Sequence, residues 1–105
     1  METIEIPRGD SYRIDLIISG DSGPLNLSGY GVRFIAAQSY DASGKIADIL
    51  VTGHDTPESG MTHIDITSGE STNCPNDYIY NFKLIDPLNK VSSFEEGIFR
   101  ILPSL

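Results

Sequence analysis

Hydrophobic and polar residues alternate with period two along most of this chain. Tyr12, Ile14, Leu16 and Ile18 fall on one side of an extended segment, with Arg13 and Asp15 on the other. The same alternation turns Val32, Phe34 and Ala36 inward, and later Ile64 and Ile66, leaving His63 and Asp65 outward. It is most pronounced at Tyr78, Tyr80, Phe82 and Leu84. The turn Asp86-Pro87-Leu88-Asn89-Lys90 follows, and a second β-rich run through Gly97-Ile98-Phe99-Arg100-Ile101 predicts a closing hairpin. Ile4-Glu5-Ile6 reads as a short strand stopped by Pro7, which has no N–H to give a ladder. Ile46 to Val51 reads as a further strand. Loops are expected over Gly20–Leu27, Ser39–Lys45 and Gly53–Gly60. Thr67 to Asn73 is the one place for a helical turn, with Thr67 as cap and Glu70 three residues on.

About seven short strands separated by turns, with no amphipathic helix, predict an all-β, antiparallel sandwich of Greek-key or immunoglobulin-like type. At 105 residues the chain is expected to be one domain, 1–105, with one core. The Cys…Trp…Cys signature of true immunoglobulin domains is missing, since there is no Trp and Cys74 is the only cysteine. An internal disulfide is excluded for the same reason, and Cys74 is expected in a turn beside Pro75.

Charge narrows the partners. The formal net charge is −8, and the seven cations Arg8, Arg13, Arg33, Lys45, Lys83, Lys90 and Arg100 are scattered. Nucleic acid, which needs a cationic footprint, is not expected as a partner. No run approaches the roughly 18 apolar residues of a membrane span. No basic-then-apolar leader opens the sequence, so synthesis in a cytoplasm without signal-directed export is expected.

Motifs that resemble reactive chemistry have simpler readings. Gly20-Asp21-Ser22-Gly23-Pro24 resembles the nucleophile loop of a serine protease, yet both histidines, His54 and His63, lie downstream of Ser22. It reads as a turn. Arg8-Gly9-Asp10 spells an integrin-binding tripeptide and equally a tight bend between two strands. His54-Asp55 and His63/Asp65 supply imidazoles and carboxylates of the types that bind Zn²⁺, without a second ligand pair at metal-like spacing. No loop has the alternating carboxylates and central Gly of a calcium site. Asn26-Leu27-Ser28 matches a glycosylation acceptor by composition alone. Glu95-Glu96 reads as a guard on a strand edge. No catalytic residues, metal or cofactor are expected. Tyr78, Tyr80, Phe82, Phe94 and Phe99 read mostly as core, while Tyr30 and Tyr40 lie near loops and are the expected exposed anchors for a partner.

The order of these elements resembles a family of small phage structural domains typified by the N-terminal domain of phage baseplate upper proteins. The residues that carry it are Ile6-Pro7-Arg8-Gly9-Asp10-Ser11 before an alternating strand, Pro24-Leu25-Asn26-Leu27-Ser28-Gly29-Tyr30-Gly31-Val32-Arg33-Phe34, and Ile64-Asp65-Ile66-Thr67. Asp77-Tyr78-Ile79-Tyr80-Asn81-Phe82 and Glu96-Gly97-Ile98-Phe99-Arg100-Ile101 complete it. A Gly usually precedes the Tyr strand in that family, where this chain has Cys74-Pro75-Asn76-Asp77. The resemblance implies a non-enzymatic virion or prophage protein, an assembly or connector module of a tail, baseplate or fibre. Other virion proteins and copies of itself are its implied partners. A bacterial adhesion or carbohydrate-binding sandwich is the alternative expectation, with Tyr30 or Tyr40 set beside carboxylates.

Overall fold

A computed structural model of the chain describes residues 2–20, 23–38, 44–71 and 76–103. Seven strands of six residues or more form two layers. They are β1 (Glu2–Pro7), β2 (Tyr12–Ile17), β5 (Gly31–Ala37), β6 (Lys45–Val51), β7 (Met61–Ile66), β8 (Asn76–Ile85) and β9 (Val91–Leu102). Two-residue strands β3 (Ser19–Gly20) and β4 (Gly23–Pro24) make a small hairpin inside the loop expected there. A 3₁₀ turn, Pro57–Ser59, and one helical turn, α1 (Ser68–Ser71), complete the elements.

One layer is a five-stranded sheet in the order β1-β9-β8-β5-β6, and the other is the pair β2-β7. The result is an immunoglobulin-like β-sandwich, as the spacing of the strands predicts. The sheet is mixed rather than wholly antiparallel. β1 lies parallel to β9, with Ile4 opposite Phe99 and Ile6 opposite Ile101. Ile4-Glu5-Ile6 alternates as any strand does, and its partner is set by burial of Ile6 beside Ile101, some 95 residues away.

Period-two patterning becomes burial as expected. Val32, Phe34, Ala36, Tyr78, Tyr80, Phe82, Phe99 and Ile101 from the larger sheet are buried with Ile64 and Ile66 of β7, and Ile14 and Leu16 of β2 pack against them. Phe34 is the hub, its ring centroid 5.0 Å from Phe82 and 5.9 Å from both Tyr80 and Phe99. Phe94 breaks the pattern. Phe82 pairs with Glu95 and Lys83 with Ser93, so Phe94 is the extra residue of a bulge, stacked on Phe82 and 39 % exposed.

Two turns explain their glycines. Asp10 N–H donates to the Pro7 carbonyl at 3.1 Å across a turn in which Gly9 has φ 87°, so Arg8-Gly9-Asp10 is the tight bend between β1 and β2. Gly60 ends the 3₁₀ turn at φ 71°, donates to the Pro57 carbonyl and accepts from Ile18 N–H. A Cβ there would collide with the Ile18 carbonyl oxygen.

Candidate functional site

Three polar constellations and one cleft stand out, and the strand register places each. On the outer face of the two-stranded layer, Asp15 pairs across to His63 and Arg13 to Asp65. His63 Nδ1 lies 2.9 Å from Asp55 Oδ2, and its Nε2 3.2 Å from Asp65 Oδ2. Arg13 Nε donates to Asp15 at 2.8 Å and its Nη2 reaches Asp55 at 3.4 Å. Carboxylates on both ring nitrogens favour the imidazolium, which donates twice. The hydrogen bond His63 donates to Asp55 leads in raising the His63 pKa, opposed by burial and then by Arg13; the same bond lowers that of Asp55. Among the described residues no three His, Cys, Asp or Glu side chains are placed so that together they could hold a metal ion. The cluster is a clamp tying the 52–60 loop to β2 and β7.

His54 differs from its neighbour. It turns inward, with Nε2 2.8 Å from the Tyr30 carbonyl oxygen and Nδ1 2.8 Å from Thr62 Oγ1. A carbonyl only accepts, so Nε2 carries the proton and, in the neutral ring, Nδ1 accepts from the Thr62 hydroxyl. Thr62 is the one fully buried polar side chain of β7, and His54 satisfies it. Sequence proximity suggested two like His-Asp pairs; the structure separates them into an inward, partly buried bridge and a surface clamp.

The larger sheet carries ion pairs on both flanks of its outer face. At the β5–β6 side, Arg33 Nε donates to Asp48 Oδ1 at 2.7 Å and Lys45 Nζ reaches Asp48 Oδ2 at 3.2 Å. The Arg33 hydrogen bond leads in holding the Asp48 carboxyl down to about 2. At the β1–β9 side, Arg100 Nε donates to Asp77 Oδ1 at 2.7 Å and Nη1 to Glu5 Oε2 at 3.2 Å. Between these flanks lie Ile35, Ile79 and Ile98, half-buried, and Asn81, whose Oδ1 is buried with no donor. Ile79 sits opposite Ile98 and Asn81 opposite Ile35, so they form one continuous patch across β9, β8 and β5. Sequence reasoning assigned these positions no role. An amide among isoleucines on the outward register of an aromatic strand is the signal that marks them.

At the end of the sandwich where β5 starts and β6 and β8 finish, a cleft of about 340 Å³ is lined by Tyr30, Leu50, Thr52, Ile85, Asp86 and Asn89, among others. Tyr30 is held by both backbone groups: its N–H donates to the Leu27 carbonyl at 2.9 Å, and its carbonyl accepts from His54. The opposite wall is equally fixed. Asp86 Oδ1 accepts from Leu88 N–H at 2.9 Å and Lys90 N–H at 2.8 Å, and Asn89 adopts φ 64°.

Tyr30 is therefore half-buried against the core rather than the exposed anchor expected, because this pinning draws it in. Tyr40, Cys74, Asp21 and Ser22 lie outside the described residues. Tyr12, at 46 % exposure, is a more open aromatic than Tyr30. Asn26 uses its Oδ1 to accept from Ser28 N–H at 3.0 Å, which gives the Asn-Leu-Ser segment a turn-forming role. No helix among the described residues is long and apolar enough to cross a membrane.

No family model and no curated protein matches the chain. Among solved structures, that of murine CRIg is similar, with a TM-score of 0.44 and 16% identity over 100% of this chain and 94% of that one.

Proposed function

We propose that this protein is a non-enzymatic structural part of a phage or prophage virion, an assembly or connector module of a tail, baseplate or fibre. The observation that carries the reading is the outer face of the five-stranded sheet. There an isoleucine patch on β9, β8 and β5 lies between two ion-paired flanks, on the layer whose other side is the aromatic core. A rigid sheet that offers apolar surface with fixed charges around it suits docking, which needs little reordering on contact. The resemblance of the whole chain to phage baseplate domains supplies the context, and symmetric assembly is the usual habit of such parts. The test is mass spectrometry of tail particles purified from a lysate of the source phage or induced prophage. The chain is expected in fixed stoichiometry with the other tail proteins, and its absence from intact particles would count against the reading.

A second reading is favoured by the cleft at the sandwich end. Tyr30 stands there with the Asp86 carboxylate and Asn89 amide, an aromatic with planar polar groups of the sort that bind a sugar ring. An array of bacterial surface glycans tests it. Specific binding that is lost in Leu50→Glu would support a glycan-binding module, and a silent array would set it aside.

A further inference from the structure

We propose that the free edge of β2 takes up an extended segment of a partner protein, as a third strand of the smaller layer. This deepens the connector reading and rests on it for the partner. A connector needs two attachments, and this one lies on the layer opposite the isoleucine patch.

The backbone of β2 selects the occupant. Met61 N–H and carbonyl both pair with Thr56, on the side of β7 away from β2. Ile17 stands opposite Met61, and the next residue, Ile18, donates to the Gly60 carbonyl at 2.9 Å. Ladder alternation therefore turns the backbone of Tyr12, Ile14 and Leu16 toward β7, and that of Arg13, Asp15 and Ile17 the other way. Among the described residues no strand lies on that side, because β2 pairs only with β7. The outer edge of β7 differs, since the 52–60 loop covers it through Thr56. Three residues at a spacing of two thus offer a row of N–H and C=O groups. An extended chain is the ligand that pairs with such a row throughout.

The flank of the sandwich is open beside this edge. β1 pairs with β9 at Gly97–Leu102, and among the described residues no strand continues that pairing past Phe94. A cleft of about 340 Å³ lies between the end of β2 and the start of β9, lined by Leu16, Ile17, Phe94 and Glu95 among others. Ile17 and Phe94 are exposed, and Phe94 stacks on the buried Phe82, so the rim of the core shows through the gap. Apolar side chains at alternate positions of an incoming strand cover that rim.

Charge completes the description of the partner. Glu95 stands opposite Phe82 in the register, which places it on the inner face, half-buried. Among the described residues it has no ion pair. A Lys or Arg on the incoming segment meets that carboxylate, and the net charge of −8 favours a cationic partner as a whole. The segment is therefore one that alternates apolar and polar residues and carries a cation.

The test begins with a displayed library of random peptides, each about ten residues long, selected on the full chain. Selected peptides are expected to alternate apolar and polar residues and to carry Lys or Arg. A synthetic copy of the leading peptide is then added to the chain, and amide exchange is followed by NMR. The amides of Asp15 and Ile17 are expected to exchange fast in the free chain and to slow at least about ten-fold with peptide bound. Glu95→Lys is expected to weaken that peptide about ten-fold, and a peptide with Glu in place of its cation to restore binding to the variant. Ile17→Pro removes an edge N–H that lies outside the β2–β7 ladder, and is expected to weaken binding as much. Circular dichroism reports whether it folds, and the Glu95 reversal carries the test if it does not. A selection that yields no binder, a peptide that protects other amides, or binding indifferent to both substitutions would overturn the inference. Protection of Asp15 and Ile17 in the free chain that grows with concentration would also overturn it, by assigning the edge to a second copy. None of those outcomes touches the connector reading, which particle composition decides.

Discussion

The two layers of the sandwich are held by different physics. The five-stranded sheet has an inner face of packed rings, Phe34, Tyr80, Phe82 and Phe99, while its polar side chains form local pairs on the far side. The β2-β7 layer has only two strands and contributes aliphatic residues to the core. Its outward side leaves Ile17 70 % exposed, and its ties to the 52–60 loop are polar, through His54–Thr62 and His63–Asp55. The larger sheet coheres through packed rings, and the smaller layer adds to its aliphatic share of the core polar ties to the loop that respond to pH and salt. A docking face belongs on the first of them.

That difference can be broken at its strongest point. Phe34→Ala removes the hub of the ring cluster and is expected to destabilise the fold by about 3–5 kcal/mol, read from urea unfolding. A loss under about 1 kcal/mol would mean the aromatic layer is not the source of cohesion.

Gly60→Ala attacks the junction between layers. Its left-handed backbone and the nearby Ile18 carbonyl make a cost of about 2 kcal/mol or more the expected result. Thermal unfolding measures it, and a neutral substitution would contradict the register given for the 3₁₀ turn. Thr62→Val leaves the partly buried Nδ1 of His54 without its donor, with about 1 kcal/mol of expected loss. The same substitution without effect would show that His54 does not bridge the layers.

The smallest effect is the most diagnostic. His63 has its pKa raised by its carboxylate neighbours, so its stabilisation is complete below the ordinary imidazole value. That contribution fades as pH rises through the folded-state value. Asp55 has its pKa lowered, so its share is present above the ordinary carboxylate range and lost on acidification through its folded value. Melting temperature is therefore expected to fall modestly between about pH 6 and pH 8, and His63→Gln to flatten that slope. An unchanged slope in the variant would remove His63 as its cause.

How much of this the sequence revealed depended on whether a feature is local. Alternation at Tyr78, Tyr80 and Phe82 depends on the strand alone, so their burial could be read directly. The parallel pairing of β1 with β9 joins opposite ends of the chain, and nothing in Ile4-Glu5-Ile6 distinguishes it from an antiparallel edge. Phe94 was read with the core and sits at the bulge, where one extra residue shifts the phase of alternation. Tyr30 looked exposed because it lies near a loop. Its position is set by His54, 24 residues later, which holds its carbonyl. Ile35, Ile79 and Ile98 lie on three separate strands, and only strand order brings them together into one outer-face patch.

The claim that this outer face is the working surface is tested most directly by light scattering of the unmodified chain across a concentration series. The account predicts a mass that rises above 11.5 kDa with concentration, as self-association of an assembly module requires. A mass fixed at 11.5 kDa throughout the series would contradict it.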